Sequence, residues 1–257
     1  MDLGLTGKVA LVAGATSGLG LATARALSAE GAHVAFCGRR EELALAEASR
    51  CQNAIGVGLD LMEEGSSAAA TSRVVEQLGP IDILILNGGG PPAANAVDVD
   101  AEQGRRSAEL LVHSQVTLVS QCLAGMRERQ WGRVLAIGSS AVQQPIPTLA
   151  TSSMFRAALA AYLKLLAEDV AADGVTVNMV HPGRIATDRI EQLDSLRAEK
   201  AGQALDEVRR ASEGTIPMRR YGRPDELAAA VTFLCGEPAS YITGEQLRVD
   251  GGLVRGL

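Results

Sequence analysis

Val9-Ala10-Leu11-Val12-Ala13-Gly14-Ala15-Thr16-Ser17-Gly18-Leu19-Gly20 is the stretch whose reading decides the fold. A β-branched apolar run breaks into three glycines and continues as Leu21-Ala22-Thr23-Ala24-Arg25-Ala26-Leu27, so a strand turns tightly into a helix. Such a helix begins bare of bulky side chains. Its dipole and unpaired N–H groups favour a pyrophosphate, and glycine lets the backbone come close enough to donate.

The strand-and-helix rhythm continues outward from this turn. Strands are expected at Val9–Val12, His33–Cys37, Ala54–Val57, Ile81–Leu86, Val134–Ile137, Val175–Val180 and Gln246–Val249, with helices filling the intervals. That alternation predicts an α/β fold, one doubly wound parallel sheet with helices on both faces, as a single domain over residues 1–257. A hydrophobic fraction of 47% suffices to cover both sheet faces. One segment breaks the rhythm: from Asp188 to Arg220 charge density rises and no strand intervenes, so one or two short helices are expected over the sheet's carboxyl edge. One reading of this segment is a solvated helical pair.

Composition narrows the function classes. No apolar run approaches the roughly 18 residues that cross a bilayer, and Met1-Asp2-Leu3-Gly4 lacks the basic start of a signal peptide, so a cytoplasmic protein is expected. Cys37, Cys51, Cys122 and Cys235 form no C-x-x-C pair; reduced thiols and no metal site are expected. A net charge of −6 without a basic tract argues against a nucleic-acid partner.

The G-x-x-x-G-x-G spacing of Gly14, Gly18 and Gly20 resembles that of the short-chain dehydrogenase/reductase family. The resemblance runs nearly end to end through Asp60, Asn87-Gly88-Gly89, Ser139, Pro182-Gly183-Arg184-Ile185-Ala186-Thr187 and Thr243-Gly244 through Asp250-Gly251-Gly252. It implies a Rossmann-type sheet of about seven strands in the order 3-2-1-4-5-6-7, a nicotinamide cofactor, a small carbonyl or alcohol substrate, and a homodimer or homotetramer. It also implies that residues 188–220 close over substrate as a lid, the alternative to a solvated helical pair. It places the cofactor on Gly14, Thr16, Ser17, Gly18, Leu19 and Gly20, on Asp60 and Leu61, on Asn87, Gly88 and Gly89, and on Pro182, Gly183, Ile185 and Thr187.

The second strand's end speaks to cofactor choice. A carboxylate there would bind the adenosine ribose hydroxyls and repel a 2′-phosphate, but this chain has Cys37-Gly38-Arg39-Arg40. Arg39, with Arg40 beside it, offers a permanently charged fork suited to phosphate, so NADP(H) is expected over NAD(H). The alternative is that both arginines pair with Glu41 and Glu42. Asp60 also has two readings: acceptor from the adenine amino group, as the family pattern implies, or N-cap of a helix starting at Leu61-Met62-Glu63-Glu64.

The catalytic motif is where the chain departs from the family. There a serine after the fifth strand polarises the carbonyl, and a tyrosine thirteen residues on, opening Y-x-x-x-K, handles the proton. Here Ser139 is present, and thirteen residues on stands Ser152, opening Ser152-Ser153-Met154-Phe155-Arg156. The family's helix asparagine falls on Leu111. The three lysines, Lys8, Lys164 and Lys200, follow Gly4, Ala160 and Leu196 at four residues, so no Y-x-x-x-K exists anywhere. Ser139, Ser152 and Arg156 are therefore the candidate catalytic residues, with Arg156 also toward the nicotinamide ribose. Guanidinium can hold a ribose but does not shuttle protons. Tyr162 lies ten residues past Ser152, about 15 Å along a helix and out of reach. Tyr221 reads as a structural turn residue. His113 and His181 are either ligand contacts or satisfied structural histidines. Two principal functions remain open on the sequence: a reductase of the 3-oxoacyl-reductase-like branch with an altered proton donor, and a cofactor-binding sensor or scaffold without turnover. A non-redox lyase or isomerase is a third.

Overall fold

The computed structural model describes residues 1–256. Seven strands, β1 (Val9–Val12), β2 (His33–Gly38), β3 (Ala54–Gly58), β4 (Ile83–Leu86), β5 (Gly132–Ile137), β6 (Val175–Pro182) and β7 (Gln246–Val249), form one sheet. Its order is β3-β2-β1-β4-β5-β6-β7, every neighbouring pair parallel. Because successive side chains on a strand point to opposite faces, each strand feeds two cores. Val9, Leu11, Leu84 and Val134 pack with α3 (Ser66–Leu78), α5 (Ser114–Glu128) and α6 (Ala150–Val170) on one face. Ala10, Val12, Ile83 and Leu135 pack with α1 (Gly18–Ala29), α2 (Glu41–Ala48) and α9 (Pro224–Cys235) on the other. Strands covered on both faces need apolar residues at nearly every position, which is what the sequence shows.

Most element bounds lie close to the sequence reading. The fourth strand begins at Ile83 and not Ile81, although the Asp82 backbone still bonds to Val9 and Arg133 and its carboxylate accepts the Val9 N–H at 3.1 Å. No helix begins at Leu61: Asp60 Oδ1 accepts the Met62 N–H in a local turn, and α3 starts at Ser66 behind Gly65. The N-cap reading of Asp60 is thereby corrected. The helical interval between the fourth and fifth strands is α4 (Ala101–Ala108) and α5 joined by a π-turn at Glu109–His113, which carries the buried Leu111.

Residues 188–220 contain two helices, α7 (Asp188–Ala201) and α8 (Leu205–Thr215), packed on each other. Their hold on the sheet is a buried charge. Asp194 is 3% exposed, pairs with Arg184 at the exit of β6, and accepts the Tyr221 hydroxyl at 2.8 Å. Tyr221 is thus a structural residue, with the Arg184 guanidinium over its ring. Among the described residues, no helix is long and apolar enough to cross a membrane. Nor, among them, could any group of three His, Cys, Asp or Glu hold a metal ion.

Candidate active site and cofactor cradle

Every candidate residue lies at the carboxyl edge of the sheet, where ligands bind in such folds. The glycine turn follows β1, Gly38 and Arg39 end β2, Asp60 follows β3, Asn87 to Gly89 follow β4, Ser139 follows β5, and Pro182 to Thr187 leave β6. Parallel strands all point their carboxyl ends one way, so residues more than a hundred positions apart share one cleft.

At the glycine turn the backbone is packed too closely for side chains. A Cβ at Gly20 would overlap the Gly14 carbonyl, and one at Gly14, whose φ is +62°, would stand 2.7 Å from Asn87 Nδ2. Asn87 donates from Nδ2 to the Ala13 and Gly14 carbonyls at 3.1 and 3.3 Å, so its side chain clamps the turn. Ser17 precedes α1 without a side-chain cap, and Thr187 precedes α7 likewise. Thr187 Cγ2 lies 3.7 Å from where a Gly18 Cβ would stand, so two uncapped helix N-termini meet there. Their first-turn N–H groups and dipoles both favour a bridging anion, and this cradle fits a dinucleotide pyrophosphate.

Around the cradle, Leu61 backs Gly88: a Cβ there would sit 3.0 Å from Leu61 Cδ1. Nothing stands within 4 Å of a Cβ built on Gly89, so that part of the loop is open. Arg39 and Arg40 are exposed, and neither takes an ion-pair partner among the described residues; Glu41 pairs with Arg73 instead. The reading that spent these arginines on Glu41 and Glu42 is thus corrected. Gly183 donates to Val249, and Thr187 Oγ1 to Ile185, holding the loop after β6 in place.

The reacting end is built on β5 and α6. Ser139 is half-buried, and its Oγ accepts the Ala141 N–H at 3.1 Å. Its own N–H donates to His181 Nδ1 at 3.2 Å, while His181 Nε2 faces Gln246 Oε1 at 3.0 Å. His181 therefore carries its proton on Nε2 and is a satisfied core residue. Burial, chiefly, holds its pKa below 6.5, and the nearby Arg156 charge acts the same way against its two hydrogen bonds. Ser152 is buried and, among the described residues, its hydroxyl has no hydrogen-bond partner. One turn on, Arg156 Nη1 donates to the Ile137 carbonyl at 2.9 Å, at the carboxyl end of β5. Burial and the Arg189 charge pull its pKa down to about 10, so it stays cationic at neutral pH. Leu111 is buried on the π-turn, and His113 beside it is exposed.

One residue at this cleft was invisible to sequence reasoning. Arg189, in the first turn of α7, donates from Nη2 to the Pro91 carbonyl at 3.0 Å, across 98 residues. Arg189 alone gave no local signal, because its partner is a backbone oxygen on a distant loop.

Comparison with known proteins agrees with this fold. A family model described as enoyl-(acyl carrier protein) reductase matches residues 14–254. The chain belongs to the short-chain dehydrogenase/reductase family. It is an oxidoreductase of that NAD(P)H-dependent type. The uncharacterized oxidoreductase YvrD of Bacillus subtilis is 34% identical, with all of both chains covered. The 3-oxoacyl-[acyl-carrier-protein] reductase FabG of Vibrio cholerae is 33% identical over 98% of this short-chain dehydrogenase/reductase and 99% of the relative. Among solved structures, L-sorbose reductase from Gluconobacter frateurii, complexed with NADPH and L-sorbose, superposes with a TM-score of 0.94 at 30% identity over the full length of both chains.

Proposed function

We propose that this chain is an NADP(H)-preferring reductase of small carbonyl compounds that works without the family's tyrosine and lysine, with Ser139, Ser152 and Arg156 at the reacting carbonyl. The observation that carries the reading is Arg156. It is anchored on the Ile137 carbonyl two residues before Ser139, which keeps a fixed positive charge where the family has lysine. The uncapped cradle between α1 and α7 supports a bound dinucleotide, and the unpaired Arg39 supports a 2′-phosphate on it. NADPH-containing relatives such as the L-sorbose reductase are consistent with both.

When bound, the cofactor supplies a hydride to the carbonyl carbon. Ser139 Oγ accepts the Ala141 N–H, which leaves its own proton to polarise the carbonyl oxygen by donating to it. Arg156 holds the nicotinamide ribose and stabilises negative charge developing on that oxygen. Ser152 lacks a proton acidic enough to give, so it seats a water that delivers one. Missing a positioned general acid costs about 10²–10⁴-fold in rate. Reactive carbonyls such as 1,2-diketones and quinones need that assistance least and are the better substrates. The paired helices α7 and α8 act as the lid, hinged on the Asp194 anchor.

NADPH oxidation across a carbonyl panel tests this. Turnover of 1,2-diketones well above simple ketones is expected, with Ser139→Ala lowering it and Ser152→Tyr plus Arg156→Lys raising the rate on simple ketones. Tight NADPH binding with no turnover on any substrate would select the alternative, a cofactor-binding sensor or scaffold.

A further inference from the structure

Two guanidiniums overlook the candidate active site without a carboxylate partner among the described residues. The contrast with their surroundings is sharp, since Arg184, Arg220 and Arg223 nearby are each matched to Asp194, Glu226 or Asp225. Arg156 gives one N–H to the Ile137 carbonyl and Arg189 gives one to the Pro91 carbonyl. A carbonyl orients a guanidinium but does not neutralise it, so both keep a full charge and spare donors. Both carbonyls lie at or beyond the carboxyl ends of neighbouring strands. Ile137 is the last residue of β5, Pro91 lies on the loop leaving β4, and these neighbouring strands pair as far as Leu86 with Ala136. Arg156 is the half-buried floor of the cleft and Arg189 its exposed rim. The Arg189 charge is near enough to lower the Arg156 pKa.

Two like charges facing one cleft repel unless an anion joins them, and the planar fork of arginine matches the two oxygens of a carboxylate. We infer that Arg156 and Arg189 together take an anionic group carried by the substrate next to its reducible carbonyl, so that the preferred substrates are 2-oxo or 3-oxo carboxylates. This rests on the reductase reading above and names its substrate class. The reaction takes the oxo acid, a hydride from the cofactor and a proton from water to the hydroxy acid, the carbonyl π pair ending on oxygen. The other source of anionic oxygens at this place is the cofactor's own phosphates, and the test separates them.

Matched pairs provide it: 2-oxobutyrate against its methyl ester and acetoacetate against its methyl ester, in NADPH oxidation by the full chain. The ketone carbonyl beside an ester is intrinsically more electrophilic than the one beside a carboxylate, so preference for the acid must come from the protein. A kcat/KM ratio of acid to ester of ten or more is expected, and Arg189→Gln is expected to shrink that ratio at least tenfold while the NADPH Kd moves less. Equal handling of acid and ester overturns the inference. So does an unchanged ratio in Arg189→Gln beside a tenfold weaker NADPH Kd, which assigns Arg189 to the cofactor phosphates. If neither member of a pair turns over, 2-oxobutyrate is titrated calorimetrically into NADP⁺-saturated protein. Saturable binding that weakens tenfold in Arg189→Gln upholds the anion site while refuting the reductase reading, and no binding refutes the site.

Discussion

Replacing Arg39 by alanine should remove the chain's discrimination between NADPH and NADH. Arg39 follows Gly38, where a carboxylate would otherwise meet the ribose, and its guanidinium is exposed and engaged in no ion pair among the described residues. Meeting a phosphate therefore breaks nothing, and the whole charge-assisted contact is available. An exposed site sits at the weak end of the range, so the contact is worth about 1.5 kcal/mol, roughly tenfold in Kd. Arg40, exposed beside it, adds a second positive charge that acts in the same direction. Because the site is exposed, the preference should shrink as salt rises and the Debye length falls to about 3 Å near 1 M. The assay should follow nucleotide fluorescence or heat. The one tryptophan, Trp131, precedes β5 at the opposite edge of the sheet and donates to Glu237, so its emission is badly placed to report on the cleft. Equal wild-type affinities for NADPH and NADH, or a preference untouched in Arg39→Ala, would refute the reasoning.

The anchor of the helical pair is the next test: Asp194→Ala leaves Arg184 half-buried and unpaired and removes the Tyr221 bond, costing about 3 kcal/mol, and a melt with limited proteolysis should show a lower Tm and cleavage within residues 188–220. An unchanged melt and cleavage pattern would contradict it. For His181, the folded pKa lies below 6.5 because burial disfavours the charged form, so the unfolded chain binds the proton more readily. Its contribution to stability is complete above pH 6.5 and is lost as pH falls below that value. Urea melts from pH 8 to 5 should therefore show a steeper loss in the wild type than in His181→Gln, and parallel curves would argue against the assignment. Oligomerisation is expected through α6, where Leu159, Leu163 and Leu166 are buried inward yet Leu165 and Met154 remain 65% and 51% exposed. Light scattering at micromolar concentration should give a dimer or tetramer, and a mass near 26.7 kDa would exclude both.

What the sequence by itself determined is whatever a short window can specify. Apolar runs marked all seven strands, with the starts moved to Ile83 and Gly132 and the ends to Gly38, Gly58 and Pro182, because strand and helix periodicities are local properties. The glycine turn was legible for the same reason: a strand, a tight turn and a helix N-terminus lie within 12 consecutive residues, Val9 to Gly20. The absence of any Y-x-x-x-K spacing was legible too, since it is a property of the sequence alone. Tertiary structure alone decided how residues far apart in the chain share their partners. Asp60 offered two roles until the local turn ruled out the N-cap, and the hold of Asn87 on the Ala13 and Gly14 carbonyls spans more than seventy residues of chain. Asp194 is an ordinary helix acid until Arg184 and Tyr221 close on it in the core. Arg156 and Arg189 become neighbours only because β4 and β5 lie side by side, an arrangement made by crossovers of some fifty residues that no local pattern encodes.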